Sequence, residues 1–390
     1  MIKNIAATLI AILLPSCLSG CGIGKQIVAI YPKNGECVSL ANAEVTDFAT
    51  NYEWGMGSYC SEAYYGMGDH YAMQGVKLRW EDKNRSKRFV VSVSEHEDMS
   101  SATVYQVEGN EVEITDLFVN TTYYWQVTGG SGTSKVFSFQ TGDTPRTIVI
   151  DGVSNTRDIG GKLTGSGKRI RQGMVYRGAK LDYITEEGKT AFLEQYQIKT
   201  DLDLRKTGEG LLGKSPVGEE ILYYNYSCPY YTGDTTGINE EQNYESLASA
   251  MRVFADADNY PVYFHCAIGR DRTSMVAMLL LGVCGVPKTD ICMDYEMSFF
   301  SESGCSDKAQ ISCMEVSLDY HKGKNRIGQT SQASEPLIAG NHSCPKVIAQ
   351  HERHGEDMQC CCAEVEMSFG FHIFPLFMFL KLRQITTKMH

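Results

Sequence analysis

A chain of 390 residues is long enough for two ordinary domains, and its 43% hydrophobic and 21% charged content is that of a folded protein rather than a disordered one. Its net charge of -11 argues against a nucleic-acid partner, which needs a basic face. A small anionic substrate stays compatible with that charge, because the potential inside a cleft can oppose the overall sign.

Met1-Ile2-Lys3-Asn4 is a short basic start, and the apolar run from Ile5 to Leu14 is shorter than a membrane span. It leads into Leu18-Ser19-Gly20-Cys21, small residues ahead of a cysteine, which resembles a bacterial lipobox. The resemblance implies a signal peptide over 1–21, lipid on Cys21, and an exported, membrane-anchored lipoprotein in the periplasm or on the cell surface. An ordinary signal peptide with an incidental cysteine is the alternative.

From residue 27 to 143 apolar residues alternate in twos. Val76, Leu78 and Trp80 form one run and Phe89, Val91 and Val93 the next, with Asn84-Arg85-Ser86 as the turn between them. Val112 and Ile114, then Tyr123, Trp125 and Val127 after Asn120-Thr121, repeat the pattern. Such alternation, with turns every ten or so residues, predicts an all-β antiparallel sandwich. Trp80 and the stretch Leu117-Phe118-Val119-Asn120-Thr121-Thr122-Tyr123 are similar to the core tryptophan and tyrosine corner of a fibronectin type III domain, without the proline usual in that stretch. The resemblance implies a spacer or a binding module and does not reach residues 41–75. Cys37 and Cys60 are a candidate disulfide of such an exported domain.

Thr141-Gly142-Asp143-Thr144-Pro145 reads as a boundary loop, beyond which strands alternate with helices. Thr185 caps a helix carrying Ala191, Phe192 and Tyr196, and 200–204 and 221–226 read as strands. Residues 243–255 form an amphipathic helix, with Tyr244, Leu247, Ala248 and Met251 on one face. Pro261-Val262-Tyr263-Phe264 is a buried strand, and 273–283 is a buried helix closed by Gly285 and Pro287. The pattern predicts a three-layer α/β domain over 148–305, a mainly parallel sheet flanked by helices.

The segment that carries chemistry is His265-Cys266-Ala267-Ile268-Gly269-Arg270-Asp271-Arg272-Thr273. A strand enters, a glycine-containing loop turns and a helix begins, so loop N–H groups and the helix N-terminus converge on a site of phosphate size. A cysteine at the start of the loop faces the same point, and the amides, the helix dipole and Arg272 favour its thiolate. Cys266 is therefore the expected nucleophile, with Arg272 gripping two phosphoryl oxygens and Ala267, Ile268, Gly269, Arg270 and Asp271 lining the anion site. Gly269 lets the backbone approach the ligand, and Thr273 is placed to hydrogen-bond the sulfur and ease its departure.

This nine-residue run resembles the signature of the protein-tyrosine-phosphatase superfamily. Asn155-Thr156-Arg157-Asp158-Ile159-Gly160-Gly161, Tyr176-Arg177-Gly178, and Asp203-Leu204-Arg205 with Glu209 narrow the resemblance to the atypical bacterial tyrosine phosphatases, over about 148–300. It implies hydrolysis of phosphotyrosine through a cysteinyl-phosphate, with dual specificity or phosphoinositides and inositol phosphates as the alternative substrates, and with no cofactor. A catalytically silent module that captures phosphorylated ligands is the alternative of another class.

Two residues are candidates for the general acid. Asp271 lies in the loop, where the atypical family keeps an aspartate beside the arginine, and ranks slightly first; its other reading is an ion pair orienting a neighbouring arginine. Asp234, in Tyr231-Thr232-Gly233-Asp234-Thr235-Thr236-Gly237, stands at a distance before the nucleophile that resembles the acid of dual-specificity phosphatases; its other reading is a turn residue. Arg270 offers a second cation suited to multiply phosphorylated lipids, or is a solvated surface arginine. Arg157, Asp158 and Arg205 read as scaffold, and His265 as orienting the cysteine.

After about residue 306 the hydrophobic periodicity fades and Cys305, Cys313, Cys344, Cys360, Cys361 and Cys362 cluster in the last quarter. None is spaced with histidines as a zinc site, so no metal is expected. A frame change in the gene and a divergent, disordered tail both fit this segment.

Overall fold

The computed structural model describes residues 27–53, 69, 71–206, 208–210, 213–228 and 241–304, with backbone alone for 241–244. Cys21, Cys60, Asp234, Tyr244 as a side chain, and the tail from residue 306 lie outside what is described.

Strands β1 (Ile27–Tyr31), β2 (Glu36–Val38), β3 (Val76–Asp82), β4 (Arg88–Ser94), β5 (Thr103–Glu108), β6 (Glu111–Ile114), β7 (Thr122–Gly129), β8 (Gly132–Thr133) and β9 (Phe137–Thr141) make two sheets. One has the order β1-β3-β6 and the other β2-β9-β7-β4-β5, with β8 paired to β7. Period-two alternation decides what meets between them. Val76, Leu78 and Trp80 of the first sheet share one core with Phe89, Val91, Val93, Trp125 and Phe139 of the second. Cys37 is an exposed free thiol rather than half of a disulfide.

Between β2 and β3 runs helix α1 (Ala43–Thr50), capped by Asn42 Oδ1, which accepts from the Val45 N–H at 2.8 Å. Its apolar side turns away from the sandwich. Val45 and Phe48 pack with Tyr71, Met297 and Phe300, so part of the stretch with no place in the alternating pattern docks on the following region.

That region holds β10 (Arg157–Asp158), β11 (Val175–Gly178), β12 (Thr200–Asp203), β13 (Leu222–Asn225) and β14 (Val262–His265), in the order β10-β11-β14-β12-β13 and parallel except for β10. Its helices are α2 (Glu186–Thr190, continued by a π turn over Ala191–Gln195), α3 (Glu241–Ala255), α4 (Asp271–Val283) and α5 (Lys288–Glu296). The central strand is buried on both faces. Val262 and Phe264 enter a core with Phe254, Val276 and Leu280, whereas Tyr263 enters another with Leu181, Phe192 and Tyr196. Helices on both faces of a mainly parallel sheet give the expected three layers.

α4 starts two residues before the predicted Thr273. The Ser274 N–H already bonds the Arg270 carbonyl at 2.9 Å, and the polar first turn Asp271-Arg272-Thr273 is silent in a search for apolar periodicity.

The corner before β7 joins the two regions. The Val119 N–H donates to Gln172 Oε1 at 2.9 Å and Gln172 Nε2 returns a bond to the Val119 carbonyl at 3.0 Å. Arg146 is buried beside them, donating to Asp158 at 2.9 Å and to the carbonyls of Leu117 and Asp116 at 3.3 Å, with its guanidinium 4.7 Å from the Phe118 ring.

Candidate active site

β14 delivers Cys266 to the carboxyl edge of the sheet, and the chain turns through residues 266–270 into α4. The cysteine is a free thiol and is 2% exposed. The carbonyls of this turn are all held from outside. Cys266 O accepts from His265 Nδ1 at 2.9 Å, Ala267 O from the Lys180 N–H at 3.2 Å, and Ile268 O from Asn155 Nδ2 at 2.9 Å and Ser303 Oγ at 3.1 Å. Gly269 O accepts from Arg177 Nη2 at 2.7 Å, and Arg270 O from the same nitrogen at 3.3 Å. A planar trans peptide directs its N–H opposite to its C=O, so pinning these carbonyls outward turns the following N–H groups inward. The N–H groups of Ala267, Ile268 and Gly269 donate to no acceptor among the described residues. Converging donors at a helix N-terminus bind an anion.

Gly269 has φ +73, and a Cβ there would run into the backbone of Gly178 and fall 2.6 Å from the Ala179 nitrogen. The close approach that requires glycine is thus to the neighbouring strand β11, where the sequence alone suggested the ligand.

Arg177 is fully buried and carries most of this bracing. Besides the two carbonyls it donates to Ser274 Oγ at 2.6 Å and to Asp294 Oδ2 at 2.5 Å. Asp294, on α5, also takes Arg157 Nε at 3.3 Å and faces Lys162 Nζ at 3.5 Å, while Arg157 Nη1 holds Asn155 Oδ1 at 2.6 Å. Burial by itself would raise the Asp294 pKa, but Arg157, Arg177 and Lys162 hold the carboxyl well below its usual range. Burial and the neighbouring Arg157 pull Arg177 down to about 10, against the pull of Asp294. Arg157 therefore supports the loop through Asn155. Asp158 faces away from it, accepting from Arg146 and from the N–H groups of Gly160 and Gly173 at 2.7 and 2.6 Å.

His265 is buried between two carboxylates. Nε2 donates to Asp201 Oδ1 at 3.0 Å, and Nδ1 lies 4.0 Å from Asp203 Oδ1 while donating to Cys266 O. Burial disfavours the charged ring, yet Asp201 and then Asp203 outweigh it and raise the pKa to about 9. An imidazolium here donates from both nitrogens and fixes the peptide after the cysteine.

Arg272 is 5% exposed, and its Nη1 donates to Glu209 Oε2 at 2.5 Å. Arg205 does not enter the site. It binds Asp203 through Nε and Nη2 and Asp182 through Nη1 at 2.9 Å, and it holds the Glu209 carbonyl at 3.1 Å. Two readings of the loop change. Arg270 is buried, not solvated, and its guanidinium turns to Asp271 Oδ1 at 3.0 Å and to the Gly304 carbonyl at 2.7 Å, beside the Phe299 ring. Asp271 accepts both bonds from Arg270 and one from Tyr295 OH at 3.3 Å, which is the ion pair given as its other reading. Thr273 is buried with no hydrogen-bond partner for Oγ1 among the described residues, so the bond to sulfur is not made in this arrangement.

Residues 148–312 match the profile of the tyrosine phosphatase family. The segment is a tyrosine phosphatase family domain. A protein of Cupriavidus necator named as a tyrosine-protein phosphatase is 27% identical over 170 residues, 38% of this chain and 61% of that protein. A tyrosine-protein phosphatase of Nostoc commune is 47% identical over 48 residues, 12% of this chain and 16% of that protein. The chain thus spans less than two thirds of the length of either relative. The core catalytic domain of the PP-IP phosphatase SIW14 from S. cerevisiae aligns with 46% of this chain and 93% of that domain, at 15% identity and a TM-score of 0.28.

Several residues that build the phosphatase-family site carry no role in the sequence reading. Asp201 and Asp203 were detectable, since two carboxylates at i and i+2 in an apolar strand must face a buried cation. Arg177 lay inside a quoted motif without a role. Asp294, Ser303 and Tyr295 have no local signal. Among the described residues, no cluster of His, Cys, Asp and Glu is arranged to hold a metal ion.

Proposed function

We propose that this chain is a cysteine-dependent phosphomonoester hydrolase acting on protein phosphotyrosine through a cysteinyl-phosphate on Cys266. The observation that carries the reading is the turn itself: a cysteine at its base, carbonyls pinned outward, N–H groups with no acceptor among the described residues, and Arg272 in the first turn of the helix. The Cys266 sulfur attacks phosphorus in line, the P–O bond to the tyrosine oxygen breaks, and an acid supplies a proton to that oxygen. Water then attacks the thiophosphate, the P–S bond breaks, and inorganic phosphate leaves. The loop amides and Arg272 stabilise charge on the equatorial oxygens throughout.

With the Asp271 carboxylate engaged by Arg270 and Tyr295, we assign the acid to Asp234. Asp234→Asn should slow phenyl phosphates with poor leaving groups far more than para-nitrophenyl phosphate, whereas Asp271→Asn should show no such dependence. The commitment of Arg270 to Asp271 also removes the support that a second free cation would lend to phosphoinositides.

The N-terminal region reads as a fibronectin type III-like domain, supported by the two sheets packed face to face, the buried Trp80, and Tyr123 OH accepting from the Phe118 N–H at 2.8 Å. Leu18-Ser19-Gly20-Cys21 supports export and a lipid anchor on Cys21. Mass spectrometry of the amino-terminal peptide would find diacylglycerol on Cys21, and an unmodified Cys21 would remove that reading.

The deciding assay is hydrolysis of para-nitrophenyl phosphate and of phosphotyrosine peptides, with and without EDTA, beside Cys266→Ser. EDTA-resistant turnover abolished by the substitution supports the reading. A folded protein that binds phosphotyrosine peptide without turnover points to a silent capture module instead.

A further inference from the structure

The N-terminal region does more than stand beside the phosphatase-family domain, because two of its residues reach the supports of the Cys266 loop. Asp69 and Tyr71 lie outside the matched segment 148–312. Asp69 Oδ1 accepts from Ser154 Oγ at 2.7 Å and from the Glu302 N–H at 2.8 Å. Asp69 Oδ2 accepts from Tyr71 OH at 2.9 Å, and the same hydroxyl accepts from the Thr156 N–H at 2.9 Å. Tyr71 is itself buried, and its carbonyl takes Thr147 Oγ1 at 2.6 Å.

These contacts clamp two segments at once. One is 154–156, whose central Asn155 has φ +60 and holds the Ile268 carbonyl through Nδ2. The other is 302–303, whose Ser303 N–H donates to Ser154 Oγ at 3.2 Å and whose Oγ donates to the same Ile268 carbonyl. Both supports of one loop peptide therefore converge on one carboxylate from outside the domain. That peptide places the Gly269 N–H, and its C=O direction sets where the N–H points. α1 anchors the arrangement: Val45 and Phe48 pack on Met297 and Phe300, and Tyr52 OH donates to Glu296 Oε1 at 3.1 Å.

We infer that Asp69 is a positioning residue for the phosphate site, so that the N-terminal region sets oxyanion affinity in the phosphatase-family domain. The inference rests on the proposed function. Asp69 acts through Ser154, Ser303 and Asn155 and touches no reacting atom. One or two hydrogen bonds lost at a partly solvated site correspond to about a five- to tenfold change in an affinity.

The test uses the full chain with Asp69→Ala, Asp69→Asn and Tyr71→Phe, measuring calorimetric binding of inorganic phosphate, kcat and KM for para-nitrophenyl phosphate, and the unfolding midpoint. Asp69→Ala should weaken phosphate binding and raise KM about five- to tenfold, with Asn, which keeps an acceptor oxygen, restoring most of the loss. A merely structural role would lower the midpoint and the active fraction while leaving KM and phosphate affinity unchanged in the folded protein, and that result overturns the inference. Wild-type protein that neither binds phosphate nor turns over would instead bring down the phosphatase reading, and the inference with it. Wild-type turnover with indifferent Asp69 variants would bring down the inference alone.

Discussion

Glu209 Oε2 stands 2.5 Å from Arg272 Nη1, so one end of the guanidinium that should hold phosphate is already committed to a carboxylate. Glu209 is in turn held by its own carbonyl to Arg205, which is locked on Asp203 and Asp182. A bond at Nη1 fixes the plane of the guanidinium, and the Nε–Nη2 edge of that plane has the geometry that matches two phosphoryl oxygens. Glu209 therefore orients Arg272 rather than blocking it.

Replacing Glu209 by Gln removes a charge-assisted bond worth about 1.5–3 kcal/mol and lets the arginine swing. Steady-state kinetics of Glu209→Gln should show kcat/KM lowered about ten- to a hundredfold, with Glu209→Asp intermediate. A variant with tighter phosphate binding and unchanged turnover would show Glu209 to be a competitor of substrate.

Asp294 is the counter-charge for Arg157 and Arg177 together, and all three are buried. Asp294→Asn leaves two guanidiniums facing each other out of water, and breaking a buried ion pair from one side costs about 3–5 kcal/mol. Urea denaturation should show that loss. Turnover should fall further than the folded fraction does, because Arg177 then no longer pins the Gly269 and Arg270 carbonyls.

The strand, turn and helix around Cys266 and the layered domain were legible because their signals are local: an apolar strand, a glycine turn and a helix start within one short window. Arg157 and Arg205 were legible as scaffold from their motifs alone. What was hidden depends on distant chain. Asp294 sits 137 positions after Arg157 and looks like an ordinary helix residue, and Asp69 meets Glu302 across 233 positions. The direction of Arg270 was hidden for the same reason, since its partners Gly304 and Phe299 follow the next helix. Within the stretch 41–75, residues 43–50 broke the two-residue alternation because they form α1, which serves a different core.

His265 gives the stability a pH dependence with a definite sign. Its pKa is raised from the ordinary imidazole value of about 6.5 to about 9 in the folded protein by Asp201 and Asp203 against the effect of burial. A raised folded pKa contributes stability in full below about pH 6.5 and loses it as pH rises through about 9, on the order of a few kcal/mol. The urea midpoint of the wild type should therefore fall between pH 6.5 and 9.5. Asp201→Asn, which removes the nearer carboxylate, should be less stable at pH 6.5 and flatter across the same window. Equal slopes for the two proteins would place the charge elsewhere.

Gly269 and Gly109 separate backbone strain from collision. Both have positive φ, +73 and +96, but a Cβ at Gly109 would meet nothing within 4 Å, whereas one at Gly269 would enter the backbone of Gly178. Gly109→Ala should thus cost only the left-handed conformation, about 1–2 kcal/mol. Gly269→Ala adds an overpacking term of about 1–3 kcal/mol that is relieved only by moving β11 or the loop away from each other. Moving the loop shifts the carbonyls held by Asn155 and Arg177, so phosphate affinity should fall in Gly269→Ala and stay unchanged in Gly109→Ala. Matching denaturation losses for the two variants would mean that β11 yields without strain, and intact phosphate binding in Gly269→Ala would mean that the loop does not follow it.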